Sequence, residues 1–216
     1  MGVLLTVPVA VIDDVAGPAS PLLPIEVDPA AAAAFVGAWE RSRTMTWQVE
    51  STFSRELVSG RSLHAEVRTV QRPPDRLEVG LGSVEGRRRG DRFACSADPD
   101  GELRCREVEG GLSYAEEVAR DLRRLEVLVT ERGRRVALYA VAESDGCFDL
   151  RLRFSYPAPP YGQSATFCFD AETGAPVRTV IRRAEAVDTT VAREVSGQVD
   201  DADLRPPRSV EVPVVS

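Results

Sequence analysis

The sequence predicts a mainly β domain, an antiparallel sheet accompanied by two helices. Apolar residues recur with period two in nine or more short runs separated by turn residues, and only two stretches change to the helical period. Four cysteines fall where independently derived hairpin registers would pair them.

The chain begins with an apolar run over 3–12 that is too short to span a bilayer and lacks a basic flank. It reads as the end of an export signal or anchor that starts further upstream, with the Pro- and Ala-rich stretch to residue 28 as linker. The expected organisation is therefore 1–28 as remnant and linker, 29–207 as the folded domain and 208–216 as a tail. Asp28 and Pro29 open a helix over 30–43, the aspartate as cap and the proline at the first helical position. Phe35 and Trp39 share one face of it. The period then becomes two: Met45, Trp47, Val49 and Phe53 alternate with Thr46, Gln48, Glu50 and Thr52. Alternation recurs at 63–70, 77–81, 92–97, 102–108, 136–141, 147–154, 165–170, 177–183 and 187–195. Strands following one another this closely form hairpins and meanders, hence an antiparallel sheet. Between them Ser113 and Glu116 make a capping box for a second helix over 113–125, with Ala115, Val118, Leu122 and Leu125 at helical spacing. Two amphipathic helices need an apolar surface, and the sheet is the large one available.

Composition narrows the function. With 43% hydrophobic and 28% charged residues the chain is an ordinary globular protein and not a disordered one. A net charge of −7 argues against nucleic acid as a partner, since phosphate neutralisation needs positive excess. All 27 basic residues are arginine, a bias that fits a GC-rich coding sequence better than a functional choice. The densest cluster, Arg87, Arg88 and Arg89, lies between Gly86 and Gly90; it has the charge to dock a phosphate or lipid headgroup, but its flanks favour a solvated turn between strands.

Catalytic machinery is not visible. The single histidine, His64, falls with Glu66 and Arg68 on the polar side of a strand, and no G-x-S-x-G nucleophile motif occurs. The cysteines are too widely spaced for a zinc site, and the carboxylates of Asp200 and Asp201 sit in a polar segment with no evident partner. The chain reads as a binding protein with no catalytic residue, metal or cofactor.

Asp98-Pro99-Asp100-Gly101 suits a type I turn closing a three-residue loop. That register sets Asp98 against Glu102, Ser96 against Arg104 and Cys95 against Cys105. For the other pair, setting Cys147 opposite Cys168 places Phe148 against Phe167 and Leu150 against Ala165. This joins two apolar faces and leaves Asp149, Arg151, Ser164 and Thr166 outside. Two such disulfides imply an extracytoplasmic location.

With a helix leading into a long strand, Gln71-Arg72-Pro73-Pro74-Asp75-Arg76-Leu77-Glu78-Val79, the turn Phe169-Asp170-Ala171-Glu172-Thr173-Gly174-Ala175-Pro176 and a closing Asp203-Leu204-Arg205-Pro206-Pro207, the chain resembles the LolA-like superfamily. That group includes periplasmic lipoprotein carriers, lipid-binding lipoproteins and the lipid-sensing domain of RseB-type regulators. The resemblance spans 30–207. It implies a curved antiparallel sheet or incomplete barrel, lidded by helices, that binds the acyl chains of a lipid or lipoprotein on its concave face. The chain departs from it in lacking a lipobox cysteine before the domain, and the two disulfides are no general feature of the family. The expected lining is Trp47, Val49, Phe53, Leu77, Val79, Phe148, Leu150, Leu152 and Phe167, with Leu122 under the helical lid. A second reading makes the chain an envelope protein-interaction or regulatory module with a membrane or envelope protein as partner, the loop 155–162 being its recognition tip.

Overall fold

The computed structural model describes residues 27–98 and 102–210. The apolar run over 3–12, the turn residues Pro99, Asp100 and Gly101, and the tail from 211 lie outside the described residues. Helix α1 (Pro29–Thr44) starts where expected because the Asp28 carboxylate accepts hydrogen bonds from Ala30 N at 2.8 Å and Ala31 N at 3.1 Å. Six strands follow: β1 (Trp47–Leu57), β2 (Ser62–Arg72), β3 (Asp75–Gly80), β4 (Ser83–Arg88), β5 (Asp91–Ala97) and β6 (Leu103–Val108). Helix α2 (Tyr114–Val129) begins with the reciprocal Ser113–Glu116 capping box. The chain then returns through β7 (Tyr139–Ser144), β8 (Cys147–Leu152), β9 (Ser164–Phe169), β10 (Pro176–Arg182) and β11 (Ala186–Ser196).

All eleven strands form one antiparallel sheet in the order β6-β5-β4-β3-β2-β1-β11-β10-β9-β8-β7, which does not close into a barrel. One meander runs outward from β1, α2 carries the chain to the far end, and a second meander runs back to pair β11 with β1.

Both disulfides are present, Cys95 to Cys105 and Cys147 to Cys168, each between directly opposed residues of a hairpin. Phe148 faces Phe167, Leu150 faces Ala165, and Asp98 N donates to Glu102 O at 2.9 Å.

Four expectations need correction. Arg87 and Arg88 are not in a turn: they belong to β4, a strand whose period was hidden by Gly86 and three charges, and Arg87 is buried. Gly86 is there for space, because a Cβ would stand 2.6 Å from both Arg76 O and the Phe93 ring. The strand expected at 136–141 is displaced to β7, with Val136 exposed ahead of it. Phe154, expected on β8, lies past its end and is exposed. Residues 208–210, expected in a tail, meet the start of β6: Ser209 bridges Glu102, and Leu103 N donates to Arg208 O at 3.4 Å.

The pairing registers separate the two sheet faces. Trp47, Gln71, Arg76, Arg87 and Arg92 form one row across β1 to β5 on the side of the helices. Gln48, Val70, Leu77, Gly86 and Phe93 form the neighbouring row on the opposite side. Three apolar clusters stabilise the fold. The largest joins Phe35 of α1 and Leu125 and Val129 of α2 to Tyr139, Phe148, Leu150 and Phe167. Each such fully buried side chain contributes about 1.5–3 kcal/mol. The second packs Val70, Leu77, Val84 and Cys95 beneath Leu204 on the opposite face. The third sets Trp47 and Val49 against Ala175.

Candidate functional site

The end of α1 is locked to the sheet by polar side chains. Its last carbonyls have no partner within the helix, and a helix terminus inside a protein needs donors from elsewhere. Trp47 Nε1 donates to Ser42 O at 2.9 Å, and Gln71 Nε2 donates to Ser42 O at 2.7 Å and Met45 O at 2.9 Å. The Tyr114 hydroxyl donates to Arg43 O and lies 3.1 Å from Gln71 Oε1. Burial pushes the Tyr114 phenol above its ordinary value. The turn Asp170 to Ala175 seats against the same corner. Asp170 Oδ1 accepts from Thr173 N at 2.8 Å and from Thr173 Oγ1 at 2.7 Å, while Gly174, with φ of +71°, lies close under Met45 and Arg41. Trp47 and Val49 are thus enclosed by structure, as is the turn motif that carried the family resemblance.

The other expected lining residues separate. Phe148, Leu150, Leu152 and Phe167 lie on the helix face in the largest cluster, where the Phe35 ring stands 5.4 Å from Phe148 and 5.5 Å from Phe167. Phe53 shares that face, half-buried, with the Arg55 guanidinium over its ring at 6.0 Å. Leu77 and Val79 point to the opposite side, under Leu204 and Val199. Leu122 is half-buried, but Leu125, Leu128 and Val129 are the residues of α2 that pack on the aromatic cluster. His64 is exposed, and Asp201 has a partner, the guanidinium of Arg72. Among the described residues no group of three His, Cys, Asp or Glu side chains is placed to hold a metal ion.

Two open grooves adjoin the helices. One, of about 730 Å³, lies between α2 and the loop 155–162. Trp39, Val127, Leu128, Tyr156, Pro160 and Tyr161 give it apolar walls, and Arg120, Arg123 and Arg124 stand at its rim with Asp121. Its loop side is anchored by Tyr139, whose hydroxyl donates to Gly162 O at 3.0 Å and accepts from Tyr161 N at 3.0 Å. Gly162 is obligatory there, with φ of +65° and Arg182 O only 2.2 Å from where a Cβ would stand. Burial raises the Tyr161 phenol to about 12, so its ring is an apolar wall with a neutral hydroxyl. The floor is continuous with the core, as Phe167 lies 5.5 Å from Trp39 and 5.3 Å from Tyr161.

The second groove, of about 400 Å³, lies over β3 to β6 beside the ends of both helices, and arginine dominates it. Arg87 is locked in place, donating to Gly90 O at 2.9 Å, Leu112 O at 2.8 Å and Glu117 Oε2 at 3.0 Å. Arg43 meets the other Glu117 oxygen at 3.5 Å. Burial works to raise the Glu117 carboxyl, yet the Arg87 hydrogen bond and the charges of Arg43, Arg87 and Arg92 hold it below the usual carboxylate range. The sequence carried the signal for this groove in Arg87 to Arg89, but not the strand that aims alternate members of the run at opposite faces.

No family model and no curated protein matches the chain. Its open eleven-stranded sheet carries both helices on one face. A LolA superfamily protein from Nitrosomonas europaea is similar at 7% identity and TM-score 0.35, over 81% of this chain and 97% of that one. LprF from Mycobacterium bovis is similar at 11% identity and TM-score 0.38, over 85% and 99%. MucB, solved in complex with MucA(peri), is similar at 14% identity and TM-score 0.40, over 85% of this chain and 62% of that one.

Proposed function

We propose that the chain is a non-catalytic, extracytoplasmic binding protein that takes an acyl chain of a lipid or lipoprotein into the groove between α2 and the loop 155–162. The observation that carries the reading is the groove itself: apolar walls about 730 Å³ in extent, an arginine rim, and a floor shared with the aromatic core. That volume lies in the range of small-molecule sites. Each methylene withdrawn from water contributes about 0.8 kcal/mol, enough for one long chain to outweigh the cost of association. Arg120, Arg123 and Arg124 suit an anionic end group. Phe167 packs behind Trp39 and Tyr161, and Phe148, Leu150 and Leu152 belong to the same cluster beneath. Both disulfides call for an oxidising compartment.

The test is uptake of a fluorescent fatty acid by the purified full chain, together with organic extraction of the protein as isolated. Saturable uptake competed by unlabelled fatty acid supports the reading, and a folded protein with no uptake and no extractable lipid overturns it. One observation favours the alternative of a protein partner: Val127, Val136, Phe154 and Tyr156 are exposed. Capture of an envelope protein by lipid-free chain is the result that would favour it.

A further inference from the structure

We propose that the arginine groove over β3 to β5 is a binding site for a phosphate group, separate from the acyl groove and independent of it. Arg76, Arg87 and Arg92 stand directly opposite one another across three adjacent strands, on the helix face. Like charges placed directly opposite on a sheet repel, with side chains about 5 Å apart, so such a row persists only with counter-charge. Protein carboxylates supply part of it. Glu117 takes Arg87 and Arg43, and Glu78 takes Arg76 at 3.1 Å.

The side chains of Arg92 and Arg106 have no hydrogen bond or ion pair among the described residues, and both line the groove. The Nε of Arg43, in the same wall, is buried with no hydrogen-bond partner. Five arginines against Glu78, Glu85 and Glu117 leave an excess of two positive charges in a chain of net charge −7. The long-range field is therefore unfavourable to anions, and the local arrangement is what selects one. Guanidinium forks match the oxygens of a tetrahedral phosphate in pairs. The exposed Arg92 supplies the guanidinium fork with Arg76 in the same row, and Arg87, buried and committed by three hydrogen bonds, holds the row in place. Glu85, across from Ala94 beside Arg106, turns the anion toward the Arg76–Arg92 row.

Two sources of phosphate fit this chemistry, a free phosphate ester and a lipid headgroup. Calorimetric titration of the full chain with inorganic phosphate tests the first, and co-sedimentation with phosphatidylcholine vesicles with and without phosphatidic acid tests the second. Arg92→Gln removes an exposed guanidinium and should weaken binding about tenfold, the loss of one charge-assisted hydrogen bond. Arg178→Gln removes the same charge from the opposite sheet face and should leave binding unchanged. Thermal unfolding of both variants checks the fold, and neither change touches the acyl groove, so fatty-acid uptake reports on that site separately. Phosphate binding sensitive to Arg92 assigns a soluble ester, and sedimentation alone, sensitive to Arg92, assigns a headgroup. The proposal fails if neither probe binds, if Arg178→Gln weakens binding equally, or if a polyglutamate peptide binds in preference to both.

Discussion

The Arg87 guanidinium donates to the Glu117 carboxylate at 3.0 Å and so ties β4 to the first turn of α2. A strand that the sequence concealed thus holds the helix that walls both grooves. Because the Glu117 carboxyl is lowered from its ordinary value of 4.5, it adds stability that is complete above that pH and fades as pH falls through the lower, folded value. Glu117→Gln should cost about 1–3 kcal/mol at neutral pH. It should also flatten the acid dependence of stability below pH 4.5, as read by urea unfolding across a pH series. An unchanged acid profile in the variant would show that the pair does not anchor α2.

Reduction should destabilise through the denatured chain. The two bridges close loops of 10 and 21 residues, and in the chain-entropy model each contributes about 3 kcal/mol. The Cys147→Ala, Cys168→Ala pair should lower the urea midpoint accordingly. Peptide mapping without reductant should return Cys95 linked to Cys105 and Cys147 linked to Cys168; crossed links would contradict the registers.

Tyr139→Phe removes one hydroxyl that serves both Gly162 O and Tyr161 N. A buried backbone group left without its partner costs about 1–3 kcal/mol. The loss should appear as faster hydrogen exchange and proteolysis confined to 155–162, with weaker acyl uptake, while the disulfide hairpins stay protected. Uniform destabilisation would mean that the hydroxyl supports the core and not the loop.

Val127→Glu and Tyr156→Glu change exposed residues on facing walls of the groove proposed to take an acyl chain. Together they should reduce fatty-acid affinity by about tenfold or more, since each removes apolar contact worth about 1 kcal/mol or more. The melting temperature should barely move. Unaltered uptake would place the ligand elsewhere.

Much of the architecture was legible in residues whose local chemistry agrees with the fold. Asp28-Pro29 and Ser113-Glu116 marked the helix starts, and the cysteine registers held because turn geometry and apolar faces selected the same pairing. Leu77 and Val79 show where this reading stops. Period two assigns a residue to one of two faces but not to which one, and the β2 to β3 pairing sends these two beneath Leu204, away from Trp47. The groove between α2 and the loop 155–162 was hidden for a related reason. Trp39 and Tyr161 are far apart in sequence and meet, with ring centroids 6.1 Å apart, only once α1 lies on the sheet. Arg87 gave charge without context, since burial of an arginine depends on carbonyls as distant as Leu112.

An open sheet leaves two margins at which another chain can add a strand. The strip from Arg208 to Val210 crosses the start of the β6 margin, bonding at Leu103 and bridging Glu102, and the rest of that edge carries the exposed charges of Arg104, Arg106 and Glu107, which disfavour pairing with another chain. The β7 margin is short, and Glu143 and Ser144 end it in exposed polar residues. What reads as a trailing segment after the last strand thus shortens the free edge at its beginning, and charge protects the remainder.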